Sequence, residues 1–185
     1  MPKQKINKKM VIDAAFEIAR NNGFETITVN QIADRLGCSV QPVYSYCNSM
    51  DELRGELKHK VHEYFRHEMT ARIDVNDFYY TTAIALLTLA STEQNLFRLF
   101  IHSQRDQIKT VPDFILLLTD PSFARIAAAK FGFNPDAEHM LHYSLAVFTY
   151  GMALMLNTTQ ISMDEAKALL KNTYNALLQS AKRMV

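Results

Sequence analysis

Glycine and proline are scarce in this chain, with five of each in 185 residues at wide intervals, fewer than an average globular protein of this length carries. Frequent tight turns are excluded, and long helices with few connections are expected. Cysteine is scarcer still. Cys38 and Cys47 cannot build a disulfide framework, and nothing near them has zinc-finger spacing, so a reducing, cytoplasmic setting fits. An excess of one charge is also missing: 20 Lys and Arg against 19 Asp and Glu leave a formal net charge of +1. A uniformly basic nucleic-acid binder is therefore excluded, as is a highly charged disordered chain, since 48% of the residues are apolar. Any partner preference must be local. No apolar run reaches membrane length, because the longest candidate, residues 145–156, falls short of the roughly 18 residues needed. A secretion signal is not expected either, since Asp13 and Glu17 interrupt the stretch after the first lysines. A Gly-rich phosphate loop, a nucleophile elbow and a paired-carboxylate helix motif are all lacking. The expectation is a cytoplasmic protein that is not an enzyme and carries no cofactor.

What is present is helical periodicity. Ile12, Ala15, Phe16 and Ala19 recur at helical spacing between Asn7 and Gly23. Thr28 with Gln31 forms a capping-box pair opening a short second helix that ends before Gly37. A third runs from Ser39 to about Tyr46, with Pro42 tolerated in its first turn. Ser49 with Glu52 reads as another capping box, starting a longer helix to about Ile73 that connects head to body. Helices are expected over 76–90, 93–103, 113–118, 122–131, 136–157 and 162–184, with Pro112, Pro121 and Pro135 as the punctuation. No period-2 run bounded by hairpin turns occurs. The fold class is all-α with about nine helices, divided into a head over 1–50 and a helical body over 51–185.

Residues 28–47, TVNQIADRLGCSVQPVYSYC, have the grammar of a helix-turn-helix: a short capped helix, a tight turn and a second short helix. Ala33 lets the two helices cross closely, Gly37 suits a turn needing positive φ, and Ile32, Leu36 and Val43 hold the crossing. In such a motif the second helix enters the major groove. Gln41 is the early side chain able to read a base edge in bidentate fashion, and Val40 suits a thymine methyl. Thr28, Ser39, Tyr44 and Tyr46 are candidate phosphate contacts, as are Lys8 and Lys9 of the lysine-rich terminus that begins with Lys3 and Lys5. The same pattern would also serve as a corner in a helical bundle.

Five stretches make the pattern more specific: IDAAF from Ile12, GFETITV from Gly23, IADRLGCS from Ile32, VYSY from Val43 and MDEL from Met50. In order and spacing they resemble the DNA-binding head of TetR-family transcriptional regulators, over about the first third of the chain. The resemblance implies that Thr28 and Tyr44 contact phosphate and that the helix carrying Val40, Gln41 and Tyr46 reads the groove. Departures from the family pattern lower the charge at this surface: Val40 stands where Lys or Arg is frequent, Gln41 where Gly is, Met50 where Lys is, and Cys47 where an aromatic is. The lysine arm would then carry more of the affinity. The resemblance further implies a homodimeric repressor, released from a palindromic operator by a small-molecule effector bound in the body. Control by a protein partner, or action as an activator, stays open.

The last two helices support the dimer independently. Ala166, Leu169, Leu170, Thr173, Tyr174, Leu177, Leu178 and Ala181 make one broad stripe, and Leu141, Leu145, Phe148, Met152 and Met155 another. Two such helices per subunit would build a four-helix interface through Leu145, Met155, Leu169, Leu170, Tyr174, Leu177 and Leu178; burial inside one subunit is the alternative. Tyr79, Tyr80, Phe97, Phe100, His102, Phe114, Tyr143, Phe148 and Met152 have the composition of a small-molecule pocket, which is also that of a core. His59 with His62 and His139 with His142 share helix faces but lack the carboxylate or cysteine company of a metal site, so no metal is expected. Cys38 reads as an apolar filler rather than an oxidant sensor.

Overall fold

The computed structural model describes residues 6–103, 108–118 and 121–185. Among them are ten α-helices, two single 3₁₀ turns and no strand. They form two compact units: one comprises residues up to Tyr64 together with Glu93–Ser103, the other Phe65–Thr92 and the described residues beyond 103.

In the first unit, α1 (Lys8–Asn22) starts where the Asn7 side chain accepts the Met10 N–H at 2.9 Å, satisfying one of the N–H groups that an opening helix leaves unpaired. It buries Val11, Ile12, Ala15, Phe16 and Ala19 and stops at Gly23, whose φ of 92° is open to glycine but strained for other residues. After a 3₁₀ turn over Phe24–Thr26, α2 (Val29–Leu36) and α3 (Val40–Tyr46) make the crossed pair. The longer α4 (Met50–Thr70) buries Leu53, Leu57 and Val61 in this unit and Phe65 and Met69 in the next. Helix α6 (Gln94–His102) also belongs here, burying Leu96, Phe97, Leu99 and Phe100.

Helix α4 stops three residues before the expected Ile73. Arg72 and Ile73 donate to carbonyls three residues back rather than four, and Asp74 then caps a 3₁₀ turn over Val75–Asp77. In the second unit α5 (Phe78–Thr92) is apolar around most of its circumference, with Phe78, Tyr79, Leu86, Leu87 and Leu89 buried, as suits a helix covered on all sides. It packs on α9 (Pro135–Thr158) and α10 (Met163–Lys182), which also pack on each other. Their starts follow one rule: Asn134 accepts the Ala137 N–H at 2.8 Å and Ser162 the Glu165 N–H at 3.2 Å. Between them lie α7 (Val111–Leu118), opened by a Thr110–Asp113 reciprocal cap, and α8 (Pro121–Phe131), opened by proline at its first position.

Candidate nucleic-acid interface and internal cavities

The turn between α2 and α3 follows from three residues. Thr28 accepts the Gln31 N–H at 3.3 Å while the Gln31 side-chain oxygen accepts the Thr28 N–H at 3.0 Å, a complete capping box. At the other end Gly37 sits at φ 64°, ψ 35°, and the Cys38 N–H donates to the Ala33 carbonyl at 3.0 Å. This is the left-handed cap that lets a helix turn sharply. Ile32, Ala33 and Val43 are fully enclosed, so the crossing fixes which side of α3 faces out.

That outward side carries Ser39, Val40, Gln41, Tyr44 and Ser45, all exposed, with Val40 38% and Tyr44 48% accessible. Ser39 sits at the N-cap of α3 without making a side-chain cap bond, so its hydroxyl is available to an outside acceptor. Thr28 is exposed as well, its hydroxyl also 3.2 Å from the Gln31 side-chain oxygen. Five of the residues singled out from sequence, Thr28, Ser39, Val40, Gln41 and Tyr44, thus stand on the solvent side of one motif.

The remaining three are engaged within the chain. Tyr46 is half-buried and its hydroxyl donates to the Ile6 carbonyl at 2.8 Å, which ties the segment before α1 to α3. Lys8 pairs with Glu56 at 2.6 Å, and that bond raises the ammonium pKa. Lys9 pairs with Asp13 at 2.9 Å while keeping most of its side chain in solvent. Asp13 also accepts from Lys60 of α4, and the Lys60 bond is the main reason its carboxyl titrates below the ordinary range. Lys3 and Lys5 lie outside the described residues. Of the capping pair Ser49 and Glu52, Ser49 accepts the Glu52 N–H at 3.1 Å, but the carboxylate reaches back to the Asn48 N–H at 2.8 Å.

A network invisible in the sequence pattern braces this unit. Glu93, 8% exposed, accepts Arg20 Nε at 2.9 Å, a second bond from Arg20 Nη2, and the Tyr64 hydroxyl at 2.9 Å. Asn95 adds a bond from its amide to the Arg20 carbonyl at 3.0 Å. One carboxylate therefore links α1, α4 and the start of α6.

The second unit contains two spaces with shared walls. A small chamber of about 30 Å³ is lined by Met69, Phe78, Ala83, Leu86, Ile115 and Leu145, with Tyr79, Thr82, His142 and Thr149 as its polar members. The Tyr79 hydroxyl and Thr82 Oγ1 are buried without a hydrogen-bond partner, and burial, with Glu138 as a lesser cause, pushes the phenol well above its usual pKa. Beside it opens a cleft of about 530 Å³ between α7, α8 and α9, within the usual range for small-molecule sites. Ile115 and His142 line both, and His142 Nδ1 lies 3.0 Å from a Glu138 carboxylate oxygen.

Of the aromatic candidates, Tyr79 lines the chamber and Tyr143 the cleft. The others lie elsewhere. Phe97 and Phe100 are buried in the first unit, where Phe100 packs on the His62 ring, and His102 lies at the edge of that unit. Tyr80 faces Tyr174 and the Lys171 ammonium, Phe114 packs edge-on against Tyr150, and Phe148 and Met152 sit on α9 away from both linings. Of the paired histidines, His59 goes to Glu63 and His62 to Ser103, while His139, stacked on the Tyr143 ring, and His142 both lie beside the Glu138 carboxylate. No group of three metal-ligating side chains occurs among the described residues.

The stripes on α9 and α10 divide in two. Leu145, Leu170 and Tyr174 are 3%, 0% and 4% exposed within one subunit, with the Tyr174 hydroxyl donating to Asp77 at 3.1 Å. They are therefore covered by their own chain. Met155 and Leu169 point outward, Leu177 and Leu178 are half-exposed, and the sequence reading missed Val147 and Gly151, which continue the outward row through Met155 at four-residue steps.

The described residues are all-α and include a capped helix-turn-helix whose second helix presents hydrogen-bonding side chains to solvent, the architecture of helix-turn-helix DNA-binding heads. Residues 11–57 match the family model for bacterial regulatory proteins of the tetR family, so this stretch of the chain is similar to those regulators. A structure of a TetR variant from Acinetobacter baumannii AYE in complex with minocycline is similar at TM-score 0.60 and 18% identity, covering 97% of this chain and 98% of that one. A bacterial regulatory protein in the tetR family from Rhodococcus RHA1 is similar at 0.58 and 18%, covering 95% and 97%. A TetR transcriptional regulator from Rhodococcus sp. RHA1 is similar at 0.55 and 17%, covering 93% and 96%. At these identities the likeness establishes the fold. No curated protein matches the sequence significantly.

Proposed function

We propose that this chain is a TetR-family transcriptional regulator, a homodimeric, cytoplasmic repressor that acts by binding rather than catalysis, and that a small molecule in the body releases it from a palindromic operator. The observation that carries the reading is the outward side of α3. Ser39, Val40, Gln41 and Tyr44 stand exposed on a helix whose opposite side is locked by Val43, and Ser39 lacks an internal cap bond. Gln41 would read a base edge and Val40 touch a thymine methyl, while Thr28, Ser39 and Tyr44 hold phosphates.

Dimerisation is supported by the outward row Val147, Gly151 and Met155 on α9 with Leu169 on α10, since an apolar row of this kind is normally covered. The two-fold axis would set the recognition helices about 34 Å apart, one turn of DNA. Effector control is supported by the chamber with its two unpartnered hydroxyls, and by Met69 near the end of α4, a helix whose first turns belong to the first unit. A ligand that fits one position of α4 better than another would shift the population of DNA-competent heads.

The test is sedimentation and fluorescence anisotropy on DNA selected from a random pool. Wild type should sediment as a dimer and bind palindromic DNA, whereas Val147→Glu with Leu169→Glu should yield a folded monomer with weakened operator binding. A dimer unaffected by both substitutions would refute the assigned interface.

A further inference from the structure

The chamber and the adjoining cleft carry information about the chemistry of the ligand, and this inference rests on the effector-binding reading above. The inner chamber is walled mainly by Met69, Phe78, Leu86, Ile115 and Leu145 and has no Lys or Arg in its lining, His142 being paired with Glu138. Two of the lining residues, Tyr79 and Thr82, carry side-chain oxygens that are buried and unpartnered. Tyr79 itself is 2% exposed. Its ring is held in place by Phe78 at 5.1 Å, His142 at 5.7 Å and Phe131 at 6.0 Å between centroids, so the hydroxyl is fixed rather than free to swing toward solvent.

Leaving such a group unpaired is unfavourable, and natural interiors rarely do so without a reason. The other chamber polars are already committed: Thr149 donates to the Leu145 carbonyl at 2.7 Å, and His142 Nδ1 lies 3.0 Å from Glu138. With a volume of about 30 Å³, the chamber has room for one or two waters or for the polar tip of a larger molecule. The apolar body of such a molecule fits the cleft of about 530 Å³, along Leu116, Ala124, Ala128 and Phe133.

Charge narrows the choice. The phenol and the threonine hydroxyl offer a proton to an acceptor but no compensating charge, and Glu138, which lines the cleft and pairs with the His142 shared by both spaces, disfavours anions. Arg125, on the cleft side, is exposed, so its charge is largely screened by solvent. We infer that the effector is an uncharged, largely apolar molecule with a single carbonyl- or ether-type acceptor, which takes its hydrogen bond from Tyr79 and Thr82.

A matched naphthalene series on the full-length protein tests this: 2-acetylnaphthalene, 2-ethylnaphthalene, 2-naphthoate and 2-naphthylmethylammonium, each titrated by calorimetry against wild type and Tyr79→Phe. The ketone should bind wild type at least tenfold more tightly than the ethyl compound or either ion. Tyr79→Phe should remove most of its advantage over the ethyl compound while leaving the affinity for the ethyl compound unchanged. A preference for naphthoate would show that Arg125 governs the site and overturn the inference, as would no binding of the ketone or a preference that survives Tyr79→Phe. Operator binding is read in parallel by anisotropy. Ketone binding with unchanged operator affinity would contradict effector control while leaving the ligand chemistry intact.

Discussion

Replacing Glu93 with Gln isolates the brace of the first unit without changing side-chain volume. The carboxylate is 9% exposed and accepts two bonds from Arg20 and one from the Tyr64 hydroxyl. Gln keeps one acceptor oxygen, so one Arg20 bond is lost and an amide donor is turned toward a guanidinium. Breaking a fully buried ion pair costs about 3–5 kcal/mol, whereas an exposed pair contributes under about 1 kcal/mol. The Arg20 side chain is 40% exposed, so water screens it and recovers part of the loss, which places the cost at about 2 kcal/mol. For a chain of this size that corresponds to a fall in Tm of about 4–8 °C, read by circular dichroism at 222 nm. Replacing both Arg20 and Glu93 with Met removes the stranded cation with its partner and should cost less than Glu93→Met alone. A shift below about 1 °C for Glu93→Gln would show that the carboxylate is not holding the three helices, and the reasoning would fail.

Three further outcomes are expected. Tyr44→Phe should weaken binding to all operator variants alike and lower the salt dependence little, whereas Gln41→Ala should relax preference at one base position; equal losses on every site for both would refute the division into phosphate and base contacts. Thr28→Ala removes the acceptor of the capping box and should lower stability by about 1 kcal/mol in urea unfolding; an unchanged midpoint would count against the cap. Asp13, whose carboxyl is held below its ordinary range chiefly by Lys60, contributes stability above the unfolded carboxylate pKa of about 3.9 that is lost as the pH falls through the lower folded value. With Asp13 and Lys60 38% and 31% exposed, Asp13→Asn should cost under about 1 kcal/mol at pH 7, and the gap to wild type should shrink as the pH falls below about 4. A gap that widens on acidification would reverse the sign of the argument.

The helix-turn-helix was legible because its determinants are local. Thr28 and Gln31 are three residues apart, and Gly37 takes its left-handed turn for reasons of its own backbone. The helix start at Ser162 was legible on the same grounds, whereas the helix expected from residue 136 starts at Pro135 with Asn134 as its cap. Contacts between residues far apart in the chain were not. Lys8 finds Glu56 and Arg20 finds Glu93 across 48 and 73 residues, and no periodicity announces that residues 93–103 pack into the unit that holds the head. Tyr46 looked outward on a short helix, but its hydroxyl reaches the Ile6 carbonyl 40 residues away. The broad stripe on α10 showed that much of the helix is apolar without showing which half its own subunit covers. Leu170 and Tyr174 took the inner half and Leu169 the outer. The unpartnered Tyr79 and Thr82 hydroxyls emerged only once the surrounding walls were in place.

The most direct test of the central claim, that α3 reads a specific duplex, is a footprint of the purified protein on DNA flanking its own gene, repeated across a salt series beside a shuffled control. Salt strips away the sequence-independent phosphate attraction first. Protection of a palindrome spanning one to two helical turns, persisting at salt concentrations that abolish binding to the control and lost in Gln41→Ala with Tyr44→Phe, is the predicted result. Protection that fades in parallel on both DNAs, or that survives the double substitution, would contradict it.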